Sequence, residues 1–278
     1  MTVVVTGASG FIGSALVRQL RHEGREVIAV SRSAPPEDLA NVSRRVASYE
    51  ELEGGAQLVH LAETAQIATS EREGDEGVEA RARVFELLAS RFDHALYVSS
   101  GAVYGDELTT PRRPDERVTP RSAYTRGKLQ CEQLALTRGG AVARLGNVYG
   151  PGLTKGTIVS DLLEAARAPG DLKIRDTAPV RDFVALEDCA AGLRLLSERR
   201  SKGIFNVATG IGTSIGALAV LVLALRNEPS RAVIATQPSG RPSTLVLDIS
   251  STTSECGFFP AISLRQGLEP LVLAKEKS

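Results

Sequence analysis

The 278-residue chain carries 33 basic and 33 acidic side chains, so its formal net charge is zero, and its length allows one large domain or two small ones. Hydrophobic residues make up 42% and charged residues 24%, the mix of a soluble globular protein rather than a disordered, fibrous or membrane-embedded one. The charge balance argues against a nucleic-acid binder, and 4% aromatic residues with no Trp leave few stacking platforms, so specificity must come mostly from hydrogen bonds and charge.

The amino terminus, Met1-Thr2-Val3-Val4-Val5, has no cationic lead-in and runs straight into a glycine-rich turn, which does not read as a secretory signal. Short Val- and Leu-rich runs at 2–5, 27–30, 58–61, 95–98 and 141–145 lack polar alternation, as expected of strands buried on both faces of a parallel sheet. Helices are predicted between them at 11–23, 75–91 and 122–137. Segments 34–41, with Pro35-Pro36, and 107–120, with three prolines and mixed charge, read as surface loops at the edge of a site. After Gly150 the pattern loosens into a smaller lobe, although 193–196 and 204–207 look like a helix and a strand that return to the first unit. The apolar stretch 217–225 is well short of the ~18 residues of a membrane span, so the chain reads as cytoplasmic with no membrane partner. Ser263 and Gln266 form a capping box ahead of a last short helix. Cys131, Cys189 and Cys256 are far apart and lack metal-ligand spacing, so they read as reduced, buried thiols, and no metal is expected.

The first strand runs into Thr6-Gly7-Ala8-Ser9-Gly10-Phe11-Ile12-Gly13 and then a helix, the context of a dinucleotide turn. Gly7 takes the tight turn, Gly10 admits a pyrophosphate and Gly13 lets helix pack on sheet, with Ser9, Phe11 and Ile12 completing the cradle at the helix N-terminus. The expected fold is therefore α/β, a Rossmann-type doubly wound parallel sheet over 1–149, completed by about 181–209. A smaller mixed C-terminal substrate lobe takes 150–180 and 210–278.

Gly-x-x-Gly-x-x-Gly resembles the short-chain dehydrogenase/reductase superfamily. The runs Val98-Ser99-Ser100-Gly101-Ala102-Val103-Tyr104-Gly105, Tyr124-x-x-x-Lys128, Arg144-Leu145-Gly146-Asn147-Val148-Tyr149-Gly150-Pro151-Gly152 and Arg181-Asp182-Phe183-Val184 are similar to successive signatures of its extended branch. That branch holds the NAD(P)-dependent nucleotide-sugar epimerases, dehydratases and ketoreductases. The resemblance continues through Arg241-Pro242, Asp248-Ile249-Ser250 and Gly267-Leu268, nearly to the end of the chain.

The resemblance implies catalytic roles for Ser100, Tyr124 and Lys128. A phenol that titrates near ~10 is a poor base at neutral pH, but a neighbouring ammonium and an oxidised nicotinamide both favour its phenolate. Tyr124 then moves a proton while Lys128, four residues on along one helix face, also holds the nicotinamide ribose. Ser100 would hydrogen-bond the reacting oxygen, with Ser99 as the alternative. Leu61 and Ala62, after His60, would line the cofactor, with Glu63 where a small residue is more usual. His60 itself reads as a packed structural residue. Asn147, Arg181 and Arg241 would contact nucleotide and diphosphate, and Arg144 would brace the fold. Near Gly77-Val78 an Asn common in relatives is missing, and Gly101 and Ala102 stand where dehydratases carry an acidic pair, which removes the acid and base that elimination needs.

At the end of the second strand, Ser31-Arg32-Ser33 offers no carboxylate for the adenosine ribose, whereas Arg32, flanked by hydroxyls, could accept the 2′-phosphate of NADP. This favours NADP, with NAD as the alternative, and a 4-ketoreductase of a nucleoside diphosphate 4-ketohexose. The alternative enzyme is a 4-epimerase with tightly bound NAD; a non-catalytic NADP-binding sensor or scaffold is a third reading. The resemblance also implies a homodimer through the helices carrying Leu87-Leu88 and Tyr124.

Overall fold

The computed structural model describes residues 2–63 and 67–274. Its elements are β1 (Val3–Thr6), α1 (Phe11–His22), β2 (Val27–Ser31), β3 (Ser43–Arg45), β4 (Gln57–His60), α2 (Ile67–Arg91), β5 (Ala95–Ser100), α3 (Ala123–Thr137), β6 (Ala141–Leu145) and β7 (Asn147–Tyr149). There follow α4 (Ile158–Arg167), β8 (Leu172–Ile174), β9 (Val180–Ala185), α5 (Leu186–Arg199), β10 (Gly203–Val207), β11 (Gly212–Ser214) and α6 (Ile215–Leu225). The chain ends in β12 (Val233–Ala235), β13 (Thr244–Leu245), α7 (Ser250–Cys256) and α8 (Leu264–Leu273).

Among the described residues a seven-stranded sheet forms in the order β10-β6-β5-β4-β1-β2-β3, every neighbouring pair parallel. The uninterrupted apolar strands have a direct cause. Val3 and Val5 of β1 pack with Leu16, Val17 and Leu20 of α1 and Leu193 and Leu196 of α5 on one face, while Val4 packs with Phe85 and Leu88 of α2 and Cys131 of α3 on the other. Each such side chain contributes about 1.5–3 kcal/mol of burial, so neither face tolerates polar alternation. The doubly wound fold expected from the sequence is thus present. All three cysteines are free and buried.

β1 lies between β2 and β4, so the chain winds outward in both directions from it and opens a crevice beyond the carboxyl ends of β1 and β4. The chain leaves the large sheet after Leu145: β7, expected to belong to it, pairs instead with β9 in a four-stranded sheet that also holds β11 and β13. β9 likewise lies in the small sheet, whereas β10 returns to the large one beside β6. β8 pairs with β12, and α4, α6 and α8 pack around the small sheet on a core that includes Leu162, Leu218 and Leu268.

Helix α2 starts eight residues before the expected 75 because its first turns precede Gly74, whose backbone, at φ 56°, breaks the helix geometry. Such a conformation suits glycine, and it hides the periodicity upstream of it. Within the expected loop at 34–41, Glu37–Val42 winds into a short 3-10 turn after Pro36. The Ser263 capping box is formed, its hydroxyl accepting from Gln266 N–H. Among the described residues no helix is long and apolar enough to cross a membrane.

Candidate active site

Between the two sheets lies a cleft of about 690 Å³. Gly7, Gly10, Phe11, Ile12 and Gly13 line one end, Leu61, Glu63, Ser100, Tyr124 and Lys128 the middle, and Asn147, Asp106 and Arg181 the other. Of the residues singled out from the sequence, Ser9, Ser31, Arg32, Ala62 and Arg241 lie outside that lining.

The glycine cradle has little spare room. Gly7 has φ 70°, and a Cβ there would fall 2.7 Å from the Leu61 carbonyl carbon and oxygen; a Cβ on Gly13 would run into the Gly7 carbonyl. The first turn of α1 carries no acidic residue and no side-chain cap at Gly10, so its N–H groups and dipole are left for an anion. An open helix start, three close-packed glycines and a buried lysine further along fit the pyrophosphate and ribose of a nicotinamide dinucleotide.

Ser100 caps the 3-10 turn Gly101–Tyr104, its Oγ accepting from Ala102 N–H at 3.2 Å, while its own proton has no acceptor among the described residues. Ser99 is committed elsewhere. Its hydroxyl donates to Glu132, which also takes a bidentate grip from Arg144, with Nη2 to Oε2 at 2.6 Å and Nε to Oε1 at 3.1 Å. Arg144 is buried over the Tyr104 ring and braces the fold. Ser100 therefore has the free hydroxyl of the pair.

Tyr124 and Lys128 stand one turn apart on α3, both buried and both lining the cleft. Ser122 caps this helix through Thr125 N–H, and Tyr124 N–H donates to Glu71 at 3.3 Å, which fixes the phenol at the helix start. Lys128 Nζ sits 6.0 Å from the Tyr124 ring centroid. At Gly77-Val78, where an Asn is missing, Val78 is buried in van der Waals reach of a Cβ added at Gly127. The position serves packing between α2 and α3.

His60 is a core residue. Its Nδ1 lies 2.8 Å from Thr6 Oγ1, Phe85 and Tyr97 stack around it, and burial pushes the imidazole down to about 4. The unfolded chain binds this proton near 6.5, so between 6.5 and about 4 the unfolded state gains it and the folded state does not. Stability that is complete above the unfolded value should fall by roughly 3 kcal/mol as pH drops through that window. His94, also lowered by burial, adds to the slope. Urea unfolding at a series of pH values should show a shallower acid limb for His60→Gln; an unchanged limb would assign the loss elsewhere.

Three side chains that the sequence did not single out for a role complete the site. Glu63 is buried against Lys128, Oε2 to Nζ 2.9 Å. Asp106 is held by both candidate diphosphate arginines, Arg181 Nη2 to Oδ2 and Arg241 Nη1 to Oδ1 each at 3.2 Å, and by the Ser243 hydroxyl. Burial alone would raise the Asp106 carboxyl, but the hydrogen bonds from Ser243 and Arg241 and the charge of Arg181 hold it below the usual range. Two guanidiniums on one carboxylate leave a net positive charge fixed beside the cleft. The third is Arg45. Its Nε donates to the Arg32 carbonyl at 3.1 Å, because β3 runs alongside β2 with Ser31 opposite Arg45. Arg32 is exposed over the Tyr49 ring, and the Ser31 hydroxyl donates to Ser33 O, tightening the turn.

Residues 3–208 match the model of the NAD dependent epimerase/dehydratase family. The chain belongs to that family. It is therefore an NAD(P)-dependent enzyme, as the resemblance in its motifs implied. Over 96% of its length it is 30% identical to dTDP-4-dehydro-6-deoxy-D-allose reductase of a Streptomyces species, covering 94% of that protein. It is 28% identical to dTDP-6-deoxy-L-talose 4-dehydrogenase (NAD(P)+) of Kitasatospora kifunensis, over 98% of this chain and 95% of that one. The structure of UDP-glucose 4-epimerase from Thermotoga maritima with UDP-glucose superposes with a TM-score of 0.84 at 25% identity, covering 98% of this chain and 97% of the other.

Proposed function

We propose that the chain is an NADPH-dependent 4-ketoreductase of a nucleoside diphosphate 4-ketohexose. The end of β2 carries this reading: Arg32 and Arg45 lie together there, and Ser31, Arg32 and Ser33 bring no carboxylate to oppose a 2′-phosphate. The carboxylate of Asp38, in the following turn, is already taken by Arg18 at 2.7 and 3.0 Å. The two relatives that act at C4 of dTDP-deoxysugars as reductase and dehydrogenase support the same choice.

In this reading the seven-stranded unit holds the dinucleotide through Gly7, Ser9, Gly10, Phe11, Ile12, Gly13, Leu61 and Ala62, with Arg32 and Arg45 on the 2′-phosphate. The small sheets hold the sugar nucleotide. When bound, NADPH would supply the hydride for the sugar carbonyl carbon. Tyr124 gives the carbonyl oxygen its proton, Ser100 donates a hydrogen bond to the same oxygen, and Lys128 grips the nicotinamide ribose. Asn147, Arg181 and Arg241 fix nucleotide and diphosphate. An acidic residue for elimination would be crowded at Gly101, where an added Cβ would meet the Leu145 carbonyl oxygen at 3.0 Å and Leu247 at 3.1 Å and those neighbours would have to shift.

The second reading, a 4-epimerase with retained NAD, draws on the likeness to the Thermotoga maritima enzyme. One preparation separates the two: purified protein is denatured, any released nucleotide is identified, and the empty protein is titrated with NADPH and NADH. An empty site that prefers NADPH is expected, and Arg32→Ala should weaken NADPH by about tenfold or more while leaving NADH within about twofold. Stoichiometric bound NAD, or equal losses for the two nucleotides, would overturn the ketoreductase reading.

A further inference from the structure

Lys128 is held tightly in the cleft. Its ammonium has three donors; one goes to Glu63 Oε2 at 2.9 Å and one to the Val98 carbonyl at 3.1 Å. The same Glu63 oxygen accepts from the Tyr97 hydroxyl at 2.8 Å, so the carboxylate is itself held from two sides. The Glu63 side chain is only 6% exposed, and its other oxygen, Oε1, is buried with no hydrogen-bond partner among the described residues. A buried carboxylate with one oxygen unpaired is costly to fold. A small apolar residue, more usual at this position of the motif, would avoid that cost. The arrangement is therefore poorly explained by stability and well explained by what it does to Lys128.

We propose that Glu63 is a positioning residue: it is the fixed counter-ion that keeps the buried Lys128 charged and aims its one remaining N–H at the ligand in the cleft. The inference rests on the reading of that cleft as a nicotinamide nucleotide site, and it assigns Glu63 an action through Lys128. The groups that face the ammonium from the surrounding elements are Glu63 after β4, the buried neutral His60 on β4, Tyr97 on β5, and Tyr124 and Cys131 on α3 itself. Glu63 is the one anion among them at neutral pH. Burial alone would push Lys128 down, and the Glu63 carboxylate reverses this, holding the ammonium above the ordinary lysine range. Burial likewise would raise Glu63, and the charge of Lys128 holds it below the usual carboxylate range. Without Glu63, the desolvated lysine would shed its proton much nearer neutrality.

The test is the pH dependence of NADPH binding, followed by fluorescence between about pH 7 and pH 9. Wild-type affinity is expected to change by less than about threefold across this range. For Glu63→Gln it should weaken by about tenfold or more toward the alkaline end, as Lys128 loses its charge and a charge-assisted hydrogen bond with it. Glu63→Asp, which keeps the anion, should restore the flat profile. A Glu63→Gln profile as flat as wild type would overturn the inference and leave the nucleotide reading standing, whereas wild-type protein that binds neither NADPH nor NADH would overturn both. A measurement independent of any variant is the titration of lysine Cε resonances in the full chain, which has six lysines. Lys128 should titrate above the ordinary range; a midpoint well below it would overturn the inference even if the variants fail to fold.

Discussion

A Tyr124→Phe variant is expected to bind NADPH within severalfold of wild type and to lose turnover by about 10²- to 10⁴-fold, the usual share of a positioned acid or base. The phenol ring is buried at the start of α3, where the Ser122 cap and the Glu71 contact to its backbone fix its position independently of the hydroxyl. The hydroxyl makes no hydrogen bond among the described residues, so its removal leaves no partner unsatisfied and the variant should fold as wild type does. kcat and kcat/KM should fall together, because the lost interaction belongs to the step in which the carbonyl oxygen takes up a proton. Retention of more than about a tenth of the activity would take Tyr124 out of the acid role and pass it to Ser100, another hydroxyl in the cleft with no acceptor among the described residues.

The parts of this site that could be read from the sequence are those set by local geometry. Tyr124 and Lys128 share a helix face because they are four residues apart, and Gly7, Gly10 and Gly13 form a cradle because a strand enters and a helix leaves within a few residues. The strands of the large sheet were legible because both faces are buried, as Val3, Val4 and Val5 show by packing alternately on the two helical layers. What stayed hidden depends on pairing over distance. Glu63 meets Lys128 only because β4 and β5 are neighbours and α3 lies across them, and Asp106 meets Arg181 and Arg241 across 75 and 135 residues. Arg45 reaches Arg32 through the parallel register of β2 and β3, a three-residue strand too short to announce itself. The small sheet was missed in detail for the same reason: β7, β11 and β13 are two or three residues long and carry no period to detect. A signal for Glu63 did exist, an acidic side chain in a motif that favours a small one, but only the buried Lys128 beside it gives that departure a meaning.

The Glu132–Arg144 pair beneath the strand that ends in Ser100 should produce the largest change in stability. Both side chains are almost fully buried, 3% and 2% exposed, and Glu132 satisfies Arg144 through Nε and Nη2 while accepting from Ser99. Arg144 Nη1 has no hydrogen-bond partner among the described residues, and removal of the carboxylate leaves the guanidinium without its counter-ion, resting on the Tyr104 ring. Glu132→Ala strands a buried cation, strips the Ser99 hydroxyl of its acceptor and opens a void, and the loss is expected at about 3–5 kcal/mol. In a chain of this length that corresponds to a fall in Tm on the order of ten degrees, read by calorimetry. The double variant Glu132→Leu/Arg144→Met removes both charges together and should recover most of that loss, because desolvating an ion pair costs about what the pairing returns. Equal instability in the single and double variants would mean that shape, rather than the stranded charge, sets the cost. The two outcomes also bear on the proposed catalysis: Ser99 and Ser100 are consecutive on β5, so slow turnover by a folded double variant would mean that the pair holds the strand end that carries Ser100.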